Sequence, residues 1–236
     1  KNDGTYYLMY STNFYGAKEY SVCYATSDNV MGPYTKAEEN PVLSYATDLK
    51  GKIYVSGPGH NSTVRTADGK DLFMVYHTHT TPQAPSGDRD TAIDRMGFRA
   101  DGTMFVSGPT LAYQPKPSGT TDVSNLASQA VIKHNDLTDG EFSVCLKKAQ
   151  KEILVKKGDV ITLTFDQPKD LRAILVYPGA SEKVSGTLNI TIDNRYAITG
   201  LELPKCTDEA GISALAAFDM VKGKTIRIEF AELEKG

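Results

Sequence analysis

Asp3-Gly4-Thr5-Tyr6-Tyr7-Leu8-Met9-Tyr10-Ser11-Thr12 is echoed by Asp68-Gly69-Lys70-Asp71-Leu72-Phe73-Met74-Val75-Tyr76-His77-Thr78, with Tyr10 and Tyr76 standing 66 residues apart. Each stretch opens on Asp-Gly and runs into an aromatic, apolar segment. Asp-Gly between such runs marks a hairpin, because a tight turn needs positive φ there. Tyr20–Thr26 alternates with period two, and Asp101-Gly102 precedes Thr103-Met104-Phe105-Val106. Helical periodicity is nearly absent before residue 120. The spacing suits a four-stranded propeller blade with one longer loop, and the stretch holds two such repeats. Gly32-Pro33 before Pro41-Val42-Leu43, and Gly108-Pro109 before Leu111, give the two repeats similar ends.

Residues 114–121, Gln-Pro-Lys-Pro-Ser-Gly-Thr-Thr, read as a linker. Beyond it the aromatic residues thin out. Val/Ile/Leu strands are expected at 152–156, 160–165, 172–177, 187–192 and 224–230, with a short helical turn over 210–218. The expected fold class is all-β: residues 1–113 read as two propeller-type blades, fewer than the four to eight of a closed propeller, or as a different all-β architecture, and residues 122–236 as a β-sandwich or jelly roll.

The 236 residues carry a net charge of −3 and no basic stripe, which argues against nucleic acid. No basic amphipathic segment points to a lipid surface and no apolar run approaches a membrane span. Cys23, Cys145 and Cys206 are too scattered for a disulfide framework or a zinc site and read as buried thiols. No signal peptide is visible, and the chain opens as though inside a hairpin, as a fragment or processed form would.

Several residues carry potential chemistry. His60, in Ser56-Gly57-Pro58-Gly59-His60-Asn61-Ser62, projects from a strand start where Gly-Pro-Gly brings the backbone in close; it can ligate a metal or serve as a turn histidine. His77 and His79 share one face of a strand, without an evident third ligand. The loop 81–89 delivers Arg89 between Asp88 and Asp90, either in an ion-pair network or as a donor fork for ligand hydroxyls or carboxylates. Asn13-Phe14-Tyr15-Gly16 is an aromatic loop suited to stacking on a sugar or packing on a neighbouring blade. The absence of Gly-x-Ser-x-Gly and of a Walker loop disfavours a serine hydrolase and an NTPase.

Taken in order, Tyr6–Ser11, Tyr24-Ala25-Thr26-Ser27 with Gly32-Pro33-Tyr34, Gly57–Ser62, and Asp88–Ile93 resemble the last two blades of glycoside hydrolase family 43. The resemblance covers residues 1 to about 113. It implies a five-bladed β-propeller enzyme that hydrolyses arabinan, arabinoxylan or xylan with inversion. In that family a Glu acid precedes the Tyr-Tyr-Leu-Met-Tyr strand, and two Asp come from earlier blades. This sequence opens just past the expected Glu. Asp3, Glu19 and Asp28 do not match, so no catalytic residue is assigned and the chain alone is expected to be inactive. The resemblance places His60 near a water-coordinated calcium at the propeller centre. It places Arg89 in the substrate pocket, with Phe14 and His77 at its rim.

The second half is similar to galactose-binding-like jelly rolls, in Asn125-Leu126-Ala127, Leu137–Gly140, Ala173–Tyr177 and Thr225–Phe230, but lacks any Trp. The expected partners are an oligo- or polysaccharide and the remaining blades, from the same gene product or a second chain. The substrate class implies a secreted or periplasmic location. The alternatives are a non-catalytic glycan-binding protein and a structural β-protein that completes a partner's sheet.

Overall fold

The computed structural model describes every residue except 49, 86, 121–122, 134, 145–148, 181–183, 206–212 and 236; at 135, 136, 184 and 235 only the backbone is described. The protein is all-β, with 3₁₀ turns at Ala127–Gln129 and Asn135–Thr138. It divides into two compact units, Lys1–Thr110 and Leu111–Gly236. No helix among the described residues is long and apolar enough to cross a membrane.

In the first unit, β1 (Tyr6–Thr12), β2 (Ser21–Ser27) and β3 (Thr35–Lys36) form a three-stranded antiparallel sheet. A short pair follows, β4 (Ala46–Thr47) with β5 (Ile53–Val55). Then β6 (Gly59–Arg65), β7 (Leu72–His79), β8 (Arg89–Phe98) and β9 (Met104–Val106) form a four-stranded antiparallel meander. The echoed stretches thus become β1 and β7. Each pairs with the strand that follows it, Tyr10 facing Cys23 and Tyr76 facing Ala92.

The Asp-Gly turns are of two kinds. Asp3 and Gly4 both have positive φ, 42° and 88°, inside the bridge between Asn2 and Thr5. At Asp68-Gly69 and Asp101-Gly102 only the glycine enters that region, at 75° and 85°. There the aspartate serves as a side-chain acceptor: Asp68 accepts from the Thr66 hydroxyl and the Lys70 N–H, and Asp101 accepts from the Thr103 N–H.

The core of this unit is Val22, Tyr24, Val42, Leu43, Met74, Tyr76, Met96, Met104 and Val106. Burying each large side chain contributes roughly 1.5–3 kcal/mol. Aromatic groups tie its elements together. The Tyr7 ring lies 4.8 Å from that of Phe98 and 6.0 Å from that of Tyr24. The Tyr7 hydroxyl donates to the Gly102 carbonyl at 2.7 Å. Cys23 is a buried free thiol, while Cys145 and Cys206 lie outside the described residues.

In the second unit, β10 (Val131–Ile132), β11 (Val160–Val176), β12 (Val184–Ile192), β13 (Tyr196–Leu203) and β14 (Ala214–Lys235) bond in the order β10-β11-β14-β12-β13. Among the described residues they make one continuous antiparallel sheet, over a core that includes Phe165, Leu188, Ile190, Ile192, Ile226 and Phe230. Three local expectations are corrected. Residues 152–156 are not strand, and Leu154 is 89% exposed. The segments at 160–165 and 172–177 fuse into β11, whose pairing with β14 shifts register between Thr164 and Lys169, across Pro168. Of the expected helical turn, residues 214–218 are extended in β14, and 210–212 lie outside the described residues.

Candidate functional site

The ends of β6, β7 and β8 meet the loop that joins β1 to β2. Between them lies an open cleft of about 360 Å³ lined by Tyr15, Tyr20, His60, His77, Gly87 and Arg89. Three of the four sequence-derived site residues line it, and the fourth, Phe14, stands beside it.

His60 lies within β6 rather than ahead of it, at an irregularity in the pairing with β7 between Gly59 and Ser62. Its φ of 53° is in the left-handed region, and its N–H donates to Ser11 Oγ at 2.9 Å. This conformation turns the exposed imidazole toward His77, with ring centroids 5.9 Å apart. Gly59 makes room for the arrangement, since a Cβ there would overlap the Tyr20 ring. Tyr20 in turn stacks on His77 at 5.8 Å and 25°.

His77 Nε2 is buried and has no hydrogen-bond partner among the described residues. Burial foremost, then the positive Arg89 and the imidazoles of His60 and His79, hold the His77 pKa below its ordinary value. At neutral pH the ring is therefore uncharged.

Arg89 opens β8. Its Nη2 donates to the Tyr15 carbonyl at 2.8 Å and its Nη1 to the Asp88 carbonyl at 3.0 Å. The guanidinium stands 5.9 Å from the Tyr15 ring centroid. The fork is thus oriented by main-chain carbonyls at the cleft. Phe14 and Tyr15 are 65% and 61% exposed, with ring centroids 4.9 Å apart. The tight turn that presents them has Asn13 at φ 70°, with its side-chain amide donating to the Glu19 carbonyl.

His79 shares the strand face of His77, but it makes its own bonds, to Ser56 and to the Tyr15 carbonyl. Among the described residues no three His, Cys, Asp or Glu side chains converge to hold a metal. A calcium ion takes six to eight oxygen ligands. Two imidazoles beside a guanidinium do not make a site that would ligate it directly. Among the described residues lining the cleft there is no carboxylate. Tyr20 carries no motif that marks it in the sequence. Only the fold, by laying it on His77, brings it into the site.

Residues 1–104 match the sequence model of Glycosyl hydrolases family 43. The Beta-D-galactofuranosidase xynD of Aspergillus niger is 34% identical over 111 residues, 47% of this chain and 31% of that protein. The solved structure of a thermostable family-43 glycoside hydrolase is 45% identical, covering 51% of this chain and 37% of that one, with a TM-score of 0.46. An endo-1,4-beta-xylanase from Bacteroides thetaiotaomicron VPI-5482 is 34% identical, covering 46% and 35%, with a TM-score of 0.40. The likeness to glycosyl hydrolase family 43 thus lies in the first unit of the chain, over residues 1–104. The chain spans about a third of the length of these relatives, 31% to 37%.

Proposed function

We propose that this chain is the sugar-binding side of a glycoside hydrolase acting with inversion on arabinose- or xylose-containing plant polysaccharides. In this reading residues 1–113 are the last two blades of a five-bladed propeller. The acid and base carboxylates, which inversion requires about 6.5–9.5 Å apart, come from blades outside this chain. The carrying observation is the convergence of Arg89, His60, His77 and the Phe14–Tyr15 pair on one cleft in the unit that matches the family. Arg89 would donate to sugar hydroxyls, the neutral His77 would stay in place without carrying charge, and the exposed rings would cover an apolar sugar face. A cation near His60 would be held through water, and no step is assigned to it. A polysaccharide substrate supports a secreted or periplasmic location.

The second unit is proposed as an accessory β-sandwich. Its open polar hollow of about 320 Å³ at Thr162, Asp193, Asn194, Thr225 and Arg227 is the place to look for glycan contact. The lack of a carboxylate in the cleft equally favours a second reading, a glycan-binding protein without turnover.

The test is an amide-spectrum titration of the chain with xylo-, arabino- and galactofuranosyl oligosaccharides, alongside hydrolysis of the 4-nitrophenyl glycosides. Shifts confined to the cleft, lost in Arg89→Ala, with no turnover, are expected. Turnover by this chain alone would overturn the assignment of the carboxylates elsewhere. Silence across the whole panel would sink sugar binding.

A further inference from the structure

The Tyr15 carbonyl collects two donors from outside its own loop. Arg89 Nη2 approaches it at 2.8 Å, and His79 Nε2 lies 3.0 Å away. His79 and Arg89 are register partners at the ends of β7 and β8, so one oxygen is pinned to two adjacent strands. His79 is 1% exposed. Its Nδ1 lies 2.9 Å from Ser56 Oγ, and its own N–H donates to the Ser56 carbonyl at 2.9 Å.

These contacts fix the tautomer. A carbonyl only accepts, so the proton sits on Nε2; Nδ1 is then an acceptor, and the Ser56 hydroxyl donates to it. Both ring nitrogens are used. Gly57, at φ 57°, lets the backbone pass over this ring, because a Cβ there would overlap the imidazole. The rest of the loop is held by Ala17 N–H to the Phe14 carbonyl, Tyr20 N–H to the Ala17 carbonyl and the Asn13 side-chain amide to the Glu19 carbonyl, and from outside by Gly57 N–H to the Lys18 carbonyl.

We propose that His79 is a positioning residue: through the Tyr15 carbonyl it fixes the Phe14–Tyr15 aromatic pair and steadies the Arg89 fork at the cleft. A buried imidazole with both nitrogens committed to local partners has no capacity left for a ligand. Its work is done through Tyr15, whose ring stays exposed where a sugar would sit. As a statement about substrate binding this rests on the glycosidase reading; as a statement about loop position it stands separately.

The full 236-residue chain is compared as parent, His79→Leu, His79→Gln and Ser56→Ala. The Gln amide can donate near the place of Nε2, whereas Leu fills space without donating. In the parent, nitrogen chemical shifts should report the Nε2–H tautomer. In His79→Leu, amide exchange at Ala17 and Gly57 should rise, and affinity for xylo- or arabino-oligosaccharides should fall about tenfold, the size of one net buried hydrogen bond. His79→Gln should recover most of both. Ser56→Ala leaves Nδ1 without its donor while the Tyr15 carbonyl keeps the proton on Nε2, and should loosen the loop partway; it serves as the test if His79→Leu fails to fold. Equal behaviour of Leu and Gln, or a parent in the Nδ1–H tautomer, would overturn the proposal. If the parent binds no sugar while His79→Leu still loosens the loop, the positioning role stands and the glycosidase reading fails.

Discussion

Along β1 and just past its end, Tyr10 is followed by Ser11 and Asn13; on β7 the matching Tyr76 is followed by His77 and His79. The partner strands differ as well. Leu8 faces Ala25, whereas the corresponding Met74 faces Asp94. Both positions are buried, Ala25 at 4% exposure and Asp94 at 1%. Asp94 accepts the Tyr76 hydroxyl at 2.5 Å, and burial, reinforced by that carboxylate, pushes the Tyr76 pKa well above its ordinary value. The two sheets thus use one strand pattern for different ends. The first offers its connecting loop and the Ser11 hydroxyl; the second carries the ionisable groups. The cleft needs both, since Tyr15 and Tyr20 come from one and His77 and Arg89 from the other.

Exchanging the buried partner positions should have the largest effect on stability. Ala25→Asp places a carboxylate in a buried position between Leu8 on one strand and Lys36 on the other, and should cost about 3 kcal/mol. Asp94→Ala should cost about the same, because the Tyr76 hydroxyl loses its acceptor in a buried site. Gly108 sharpens the contrast: a Cβ there would overlap the Asp94 carboxylate. Gly108→Ala should therefore cost about 2 kcal/mol in the parent and less beside Asp94→Ala, where the carboxylate is gone but the Cβ at position 94, 2.8 Å from the added methyl, stays. Urea unfolding of the single and double variants measures all of these. Additive costs would show that Gly108 is not reserved for Asp94.

Much of this contrast can be read from the sequence, and part of it cannot. The strands β1, β2, β7 and β9 follow from alternation and Asp-Gly turns, which are local properties. His60, His77 and Arg89 stand out because their types are chemically distinctive and their turns brief. The role of His79 stays hidden. It depends on Ser56 and Tyr15, 23 and 64 residues away in sequence. In the second unit, Gln167-Pro168 looks like a strand break, yet β11 continues because a shift in register absorbs the proline. Residues 152–156 have strand composition but are not strand: Glu152 accepts from the Ser143 hydroxyl and the Ala180 N–H, and composition alone does not supply a neighbouring strand.

A smaller effect separates Ser11, which cannot titrate, from its counterpart His77. The folded pKa of His77 is depressed, chiefly by burial. Between that value and the ordinary imidazole value of about 6.5, the unfolded chain holds more protons than the folded one. Stability from this group is therefore present above about pH 6.5 and is lost as pH falls through the depressed value. Unfolding curves between pH 7.5 and 5 should show a shallow acid loss, with a slope below one proton, and His77→Asn should flatten it. An unchanged slope in His77→Asn would assign the acid sensitivity to other groups.

The smallest stability change belongs to the loop that the first sheet contributes. The Phe14 ring is 65% exposed and lies against Tyr15 and Gly16 of its own loop. Phe14→Ala should thus leave the unfolding free energy within about 0.5 kcal/mol of the parent. Its effect belongs to binding: if the ring covers an apolar sugar face, removing it withdraws buried apolar area and should weaken oligosaccharide affinity about tenfold. The loop between β7 and β8 gives the matched control. Pro82→Ala there should change neither stability nor affinity by more than about twofold. If Phe14→Ala destabilises the chain instead, the ring is a packing element and the division of labour between the two sheets fails at that loop. If stability holds and affinity falls, the first sheet presents the sugar-covering surface while the second supplies the donors.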